Sequence, residues 1–266
     1  MRPESTTERN PLRALEFRVL AATVAEWVLH GHGPLLSPES QENLEPHREH
    51  LKTRSLAIFL NHFTRKDPFL VGALAVRELH GQLQQIAAPV GANHYFEFQR
   101  QGFLKYLLLQ TAPLYGFEVF PVPRPNNESD YEAHITPKQR KRVSRDFSNK
   151  GRKVMGKAGG VFLITPEATR SADGKLQTAQ PGVEHLEGYG PSVLYAPWAV
   201  IPHGDYNREQ VGLVEINIGA PRSKEEIERE WHQRGISEGI PFKDILMYDL
   251  AAHLPPNMRG VYELPE

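Results

Sequence analysis

The sequence predicts an α/β fold: a single domain with a mostly parallel central sheet flanked by helices, plus an N-terminal amphipathic helical extension. Three observations predict it. Short apolar runs that read as buried strands recur near residues 55–61, 93–98, 117–122, 160–165, 192–201 and 211–218. Segments with apolar residues at helical spacing alternate with them, near 68–80, 102–111, 136–150, 223–235 and 241–252. Such alternation favours parallel strands covered by helices, and 266 residues suffice for one large core.

In chain order, residues 1–10 are polar and read as a disordered lead-in. Residues 11–29 place Leu12, Leu15, Phe17, Val19, Leu20, Val24, Trp27 and Val28 at helical spacing, with Arg13 and Arg18 among them. This amphipathic helix either packs on the domain or lies on a bilayer surface. Residues 31–54 are polar, rich in Pro, Glu and His, and read as a linker or covering loop. The partition is therefore 1–50 for the helix and linker and 51–266 for the α/β domain. The helix expected near 136–150 opens a basic run: Lys138, Arg140, Lys141, Arg142, Arg145, Lys150, Arg152 and Lys153 against Asp146. It is a solvated helix face, or a face toward anionic headgroups or a phosphorylated ligand.

Composition narrows the function. A formal net charge of -1 supplies no global field for nucleic acid, and the basic run holds a single aromatic residue, Phe147, not the interleaved aromatics of a stacking platform. The absence of cysteine excludes disulfides, thiolate metal sites and a cysteine nucleophile. His30, His32, His47 and His50 lie in a polar stretch without a carboxylate pattern, so no metal site is expected. No signal-peptide pattern opens the chain, and no run reaches the ~20 apolar residues of a spanning helix. A cytoplasmic protein, soluble or peripheral to the membrane, is expected. GRKVMGK at 151–157 nearly matches a P-loop, but Ala158 replaces the Ser or Thr and the segment precedes a strand instead of following one. No GxSxG nucleophile elbow occurs.

The most informative stretch is NHFTRKDPF, residues 61–69. It joins a predicted buried strand to a predicted helix, with Pro68 suited to the first turn and Asp67 suited to a cap. On a straight helix His62 and Asp67 would stand about 140° apart. Across a strand-to-helix turn their side chains can converge. A carboxylate on one imidazole nitrogen fixes the tautomer and frees the other as a base. From this stretch alone, a plain N-cap and a turn histidine remain an equal alternative.

A second strand-end loop, TPEATRS at 165–171, follows the apolar run GGVFLI. Taken together, NHFTRKD and TPEATRS resemble the N-H-x-S-x-x-D and F-P-E-G-T-R-S motifs of the glycerolipid acyltransferase family, the lysophosphatidic acid acyltransferase type. YGFEVFPVPR, ending in Arg124, resembles the element between those motifs. SVLYAPWAVIP and the ending ILMYDLAAHLPPNMRGVY fit their positions too, so the resemblance covers roughly residues 50–262. Three departures stand out: Thr64 for serine, Thr165 for phenylalanine and Ala168 for glycine. The last two leave the acceptor open.

The resemblance implies an O-acyltransferase that moves a fatty acyl group from a thioester to the free hydroxyl of a lysophospholipid, with lysophosphatidic acid the first candidate. The alternative is the same fold acting on another lipid or a non-phosphorylated alcohol. His62 would be the general base and Asp67 its orienting partner. Arg124 and Arg170 would hold the acceptor phosphate, Glu167 would position Arg170 or an acceptor hydroxyl, and Thr169 would donate a hydrogen bond nearby. Both arginines should point into one crevice if the strands that precede them are neighbours in the parallel sheet. Acyl-CoA or acyl-carrier protein would serve as co-substrate, with no tightly bound cofactor, no metal and no nucleic acid. The partners would be the donor, the lysolipid and a membrane surface.

Overall fold

The structure, a computed structural model, describes residues 34–63, 67–79, 81–91, 117–122, 137–171, 173–181, 188–189, 193–203 and 213–265. In chain order the elements are β1 (Leu35–Leu36), α1 (Pro38–Leu51), β2 (Ser55–Phe59), α2 (Asp67–Leu79), β3 (Gln85–Gly91) and β4 (Phe117–Val122). Then come α3 (Pro137–Met155), β5 (Gly160–Ile164), β6 (Val193–Pro202), β7 (Val214–Ile218), α4 (Lys224–Gln233) and α5 (Phe242–Ala252).

The described strands form one sheet in the order β1-β7-β6-β2-β5-β3-β4. Every neighbouring pair is parallel except β6 with β7. The α/β class and the mostly parallel sheet are as expected. β2 (SLAIF) and β5 (GVFLI) are buried at every position, which is why both read as unbroken apolar runs. Alternate side chains feed two cores. Leu56, Ile58 and Leu60 pack with Val71, Leu74 and Leu79 of α2 and with Leu44 and Leu51 of α1. Ala57, Phe59, Phe162 and Ile164 pack on the other face with Val154 of α3, Trp231 of α4 and Ile245, Leu246 and Leu250 of α5.

Three expectations change. Of the stretch 31–54, the described residues 34–54 are not a linker: β1 pairs with β7, and α1 lies on the core. Ser37 caps α1 by accepting the Ser40 amide at 3.1 Å, with Pro38 in the first turn. The buried stripe of α1 is Ser40, Leu44, His47 and Leu51, two of them polar, so hydropathy hid the amphipathic pattern. Each polar member has a partner. Ser40 Oγ accepts the Ile218 N–H at 3.0 Å. His47 sits between the Asn43 carbonyl, 2.6 Å from Nδ1, and Trp198 Nε1–H, which donates to Nε2 at 3.1 Å. Burial pushes the His47 pKa down to about 4.

The second change is β3, at 85–91, which lies before the strand expected near 93–98. It separates β4 from β5, so the strands preceding Arg124 and Arg170 are not neighbours but stand two strand spacings apart, roughly 10 Å. The third is α3, which runs to Met155, a turn beyond the expected end. Gly151 lies inside it because the Tyr189 ring comes within 2.5 Å of where a Cβ would stand. The expected helices at 11–29 and 102–111 and the strand at 93–98 lie outside the described residues. Among the described residues no helix is long and apolar enough to cross a membrane.

Candidate active site

β2 and β5 are adjacent and parallel, with Phe59 opposite Ile164, so their following loops emerge side by side at the carboxyl edge of the sheet. Crevices at that edge are where parallel sheets commonly hold their ligands. The Leu60 N–H donates to the Ile164 carbonyl at 2.9 Å, extending the pairing one residue past β2. Asn61, fully buried, turns its amide to the other neighbour, Val200 of β6. His62 follows.

The main chain around His62 is fully engaged. Its N–H donates to Glu167 Oε2 at 3.0 Å, and its carbonyl accepts the Ser171 N–H at 2.8 Å. The next amide, Phe63 N–H, donates to Asp67 Oδ2 at 2.6 Å. These bonds tie 61–63 to 165–171 and to the first residue of α2. Asp67 is buried in the first turn of α2, where the helix macrodipole favours a negative charge.

His62 Nδ1 lies 3.7 Å from Asp67 Oδ2, with the imidazole 13% exposed and the carboxylate 1% exposed. Nδ1 is buried and makes no hydrogen bond. The separation is within ion-pair range but longer than a formed hydrogen bond. A ring movement of roughly 0.5–1 Å would close it, the looseness common in catalytic pairs without substrate. This arrangement holds Nδ1 against a carboxylate and leaves Nε2 as the ring nitrogen not turned to Asp67.

The loop after β5 begins with a turn in which Ala168 N–H donates to the Thr165 carbonyl at 2.9 Å. Ala168 adopts φ 51°, the one non-glycine residue at positive φ among the described residues. This is the position at which the resemblance expects glycine. Glu167 is fully buried, and its other oxygen, Oε1, accepts the Gln177 N–H at 2.7 Å. Burial pushes its pKa up to about 8, against the two backbone N–H bonds, and the nearby Asp67 charge adds to the rise. Thr169 is exposed and Arg170 half-buried, one residue before the amide that binds the His62 carbonyl.

The structure thus brings His62, Asp67 and Glu167 together, with Thr169 and Arg170 on the same loop. Arg124 lies outside the described residues. Asn61 and Ser171 were not singled out from the sequence, although both stand inside the two motifs quoted above. A crevice of about 210 Å³ lined by Gln84, Gln85, Val154, Lys157, Ala158 and Gly160 opens at the opposite, amino edge, away from this cluster. Within α1, both ring nitrogens of His47 are occupied by protein partners, so it is a core histidine. No family model matches the chain, and no curated protein matches it significantly.

Proposed function

We propose that this chain is an O-acyltransferase that moves a fatty acyl group from an acyl thioester to the free hydroxyl of a lysophospholipid, with lysophosphatidic acid as first candidate. The observation that supports it most is the His62–Asp67 pair at the carboxyl edge of a parallel sheet, beside the loop of Glu167 and Arg170. In this reading His62 Nε2 takes the proton of the acceptor hydroxyl as its oxygen attacks the thioester carbonyl. Asp67 orients the ring and stabilises the imidazolium. The tetrahedral intermediate collapses with formation of the ester and cleavage of the C–S bond, and His62 returns the proton to the leaving thiolate. No acyl-enzyme is needed, so a chain without cysteine can run the reaction.

Arg170 and Arg124 would hold the acceptor phosphate. With β3 between their strands, they would grip it from two sides of a wider crevice, not from adjacent strand ends. Acyl-CoA or acyl-carrier protein would be the donor. A peripheral site at a membrane surface suits an amphiphilic acceptor, and the exposed Lys138, Lys141, Arg142 and Arg145 in the first half of α3 suit anionic headgroups. α3 enters the fold after β4 and leaves it before β5, so this half lies toward the same edge as His62.

The test is product mass analysis after incubating full-length protein with acyl-CoA and a panel of lysolipids with and without a phosphomonoester. Acylation of lysophosphatidic acid above the uncharged acceptors supports the reading. Acylation of uncharged alcohols only would move the function to another acceptor on the same fold. The left-handed Ala168, where the resemblance expects glycine, keeps that second reading in view. No acylation of any member rejects the acyltransferase assignment.

A further inference from the structure

We propose that Glu167 is a positioning residue that sets His62 through the main chain and does not touch the acceptor. This rests on the acyltransferase reading above. Glu167 is 0% exposed, and each oxygen faces a backbone N–H: Oε2 that of His62 at 3.0 Å, Oε1 that of Gln177 at 2.7 Å. A carboxyl group so enclosed has no face to offer a lysolipid. What it governs instead is the place of the imidazole. The Cα of His62 is held by Glu167 on its amide side and by the Ser171 N–H on its carbonyl side.

The second oxygen extends the link. Gln177 belongs to a loop held by the C-terminal residues: Leu176 N–H donates to the Met258 carbonyl at 2.9 Å, and Ala179 N–H donates to the Tyr262 hydroxyl at 3.0 Å. One buried carboxyl therefore joins the turn of the base to the segment that the chain's end secures. Glutamine in its place keeps one acceptor oxygen and turns an NH₂ toward the other N–H, losing one of the two bonds. Alanine loses both. A base displaced by about 1 Å loses on the order of 10²-fold in rate.

The experiment uses full-length protein, acyl-CoA and lysophosphatidic acid in mixed micelles, with Glu167→Gln, Glu167→Ala and Arg170→Ala. For both Glu167 variants kcat is expected to fall, about 10-fold for Gln and about 10²-fold for Ala, with both KM values within about twofold of wild type. Arg170→Ala is expected to do the reverse, raising acceptor KM. Hydrogen exchange read at the single amides of His62 and Gln177 is expected to accelerate in the Glu167 variants below global unfolding. If the alanine variant does not fold, the near-isosteric glutamine variant decides. A selective rise in acceptor KM with kcat retained, or unchanged exchange at His62, overturns the proposal. If wild type acylates nothing, the proposed function falls, while the exchange measurement still decides whether Glu167 holds His62.

Discussion

Asn61 closes two hydrogen bonds on the main chain of Val200: its Nδ2 donates to the carbonyl at 2.8 Å, and its Oδ1 accepts the N–H at 2.7 Å. The last registered pair of β2 and β6 is Phe59 with Pro197, three residues before Val200. The Asn61 side chain therefore continues the ladder where the backbone of the turn departs from it, one residue before His62. Asn61→Ala leaves both Val200 groups buried and unpaired, at about 1–3 kcal/mol each. Asn61→Asp keeps the acceptor but sets an oxygen against the carbonyl. Both variants are expected to lower unfolding free energy in urea, Asn61→Ala by roughly 2–6 kcal/mol. Loss of less than about 0.5 kcal/mol would show that Asn61 does not fasten the turn.

Much of this frame is legible in the chain because β2 and β5 are buried on both faces and read as SLAIF and GVFLI. Other parts are hidden for physical reasons. The inward stripe of α1 is half polar, since Ser40 and His47 find partners on β7 and β6 that no local pattern announces. β3 is QIAAPVG, whose alanines, proline and glycine give little strand signal. At the site, the spacing of His62 and Asp67 across one strand-to-helix turn allows their pairing without singling it out over a plain cap. The destination of Glu167 is not legible from spacing, because its partners are backbone amides, one of them 105 residues away. A carboxylate beside an arginine in a motif suggests a substrate contact, and burial is what points it inward.

The dyad makes a direct prediction. His62→Ala is expected to lower acyl transfer on the order of 10²–10⁴-fold, as loss of a general base does. Asp67→Asn keeps a carbonyl oxygen for the Phe63 amide but removes the charge facing Nδ1, and a strong loss of kcat is expected. Circular dichroism and unfolding midpoints should stay close to wild type for His62→Ala, whose ring makes no hydrogen bond through Nδ1. Near-normal turnover by purified His62→Ala would end the general-base assignment.

Ala168 offers a test of backbone strain. An L-residue in the left-handed region costs roughly 1–2 kcal/mol, which glycine avoids. Part of that gain is offset by glycine's greater freedom in the unfolded chain. Ala168→Gly is expected to raise unfolding free energy by up to about 1 kcal/mol, and Ala168→Val to lower it, since branching at Cβ tolerates φ 51° poorly. A glycine variant less stable than wild type would mean that the Ala168 methyl makes contacts worth more than the strain.

Two buried groups should give stability opposite dependences on pH. His47 is held neutral, its pKa lowered from 6.5 to about 4 chiefly by burial. The unfolded chain binds that proton first as pH falls, so the His47 contribution is complete above 6.5 and is lost progressively toward 4. Glu167 runs the other way, its pKa raised from 4.5 to about 8 chiefly by burial. The folded state keeps the proton longer as pH rises, so its contribution is complete below 4.5 and is lost as pH climbs through 8. Between 4.5 and 6.5 the two slopes oppose each other, while from 6.5 to 8 only Glu167 acts. Unfolding free energies of wild type, Glu167→Gln and His47→Gln, taken at intervals from pH 4 to pH 8, separate them. Glu167→Gln is expected to abolish the decline from 6.5 to 8 and to leave stability rising with pH between 4.5 and 6.5, where His47 alone then acts, and His47→Gln to leave stability falling with pH from 4.5 to 8. Curves parallel to wild type for Glu167→Gln would mean that the carboxyl is ionised at neutral pH in its buried site. The two backbone N–H groups of His62 and Gln177 would then outweigh the loss of water around it.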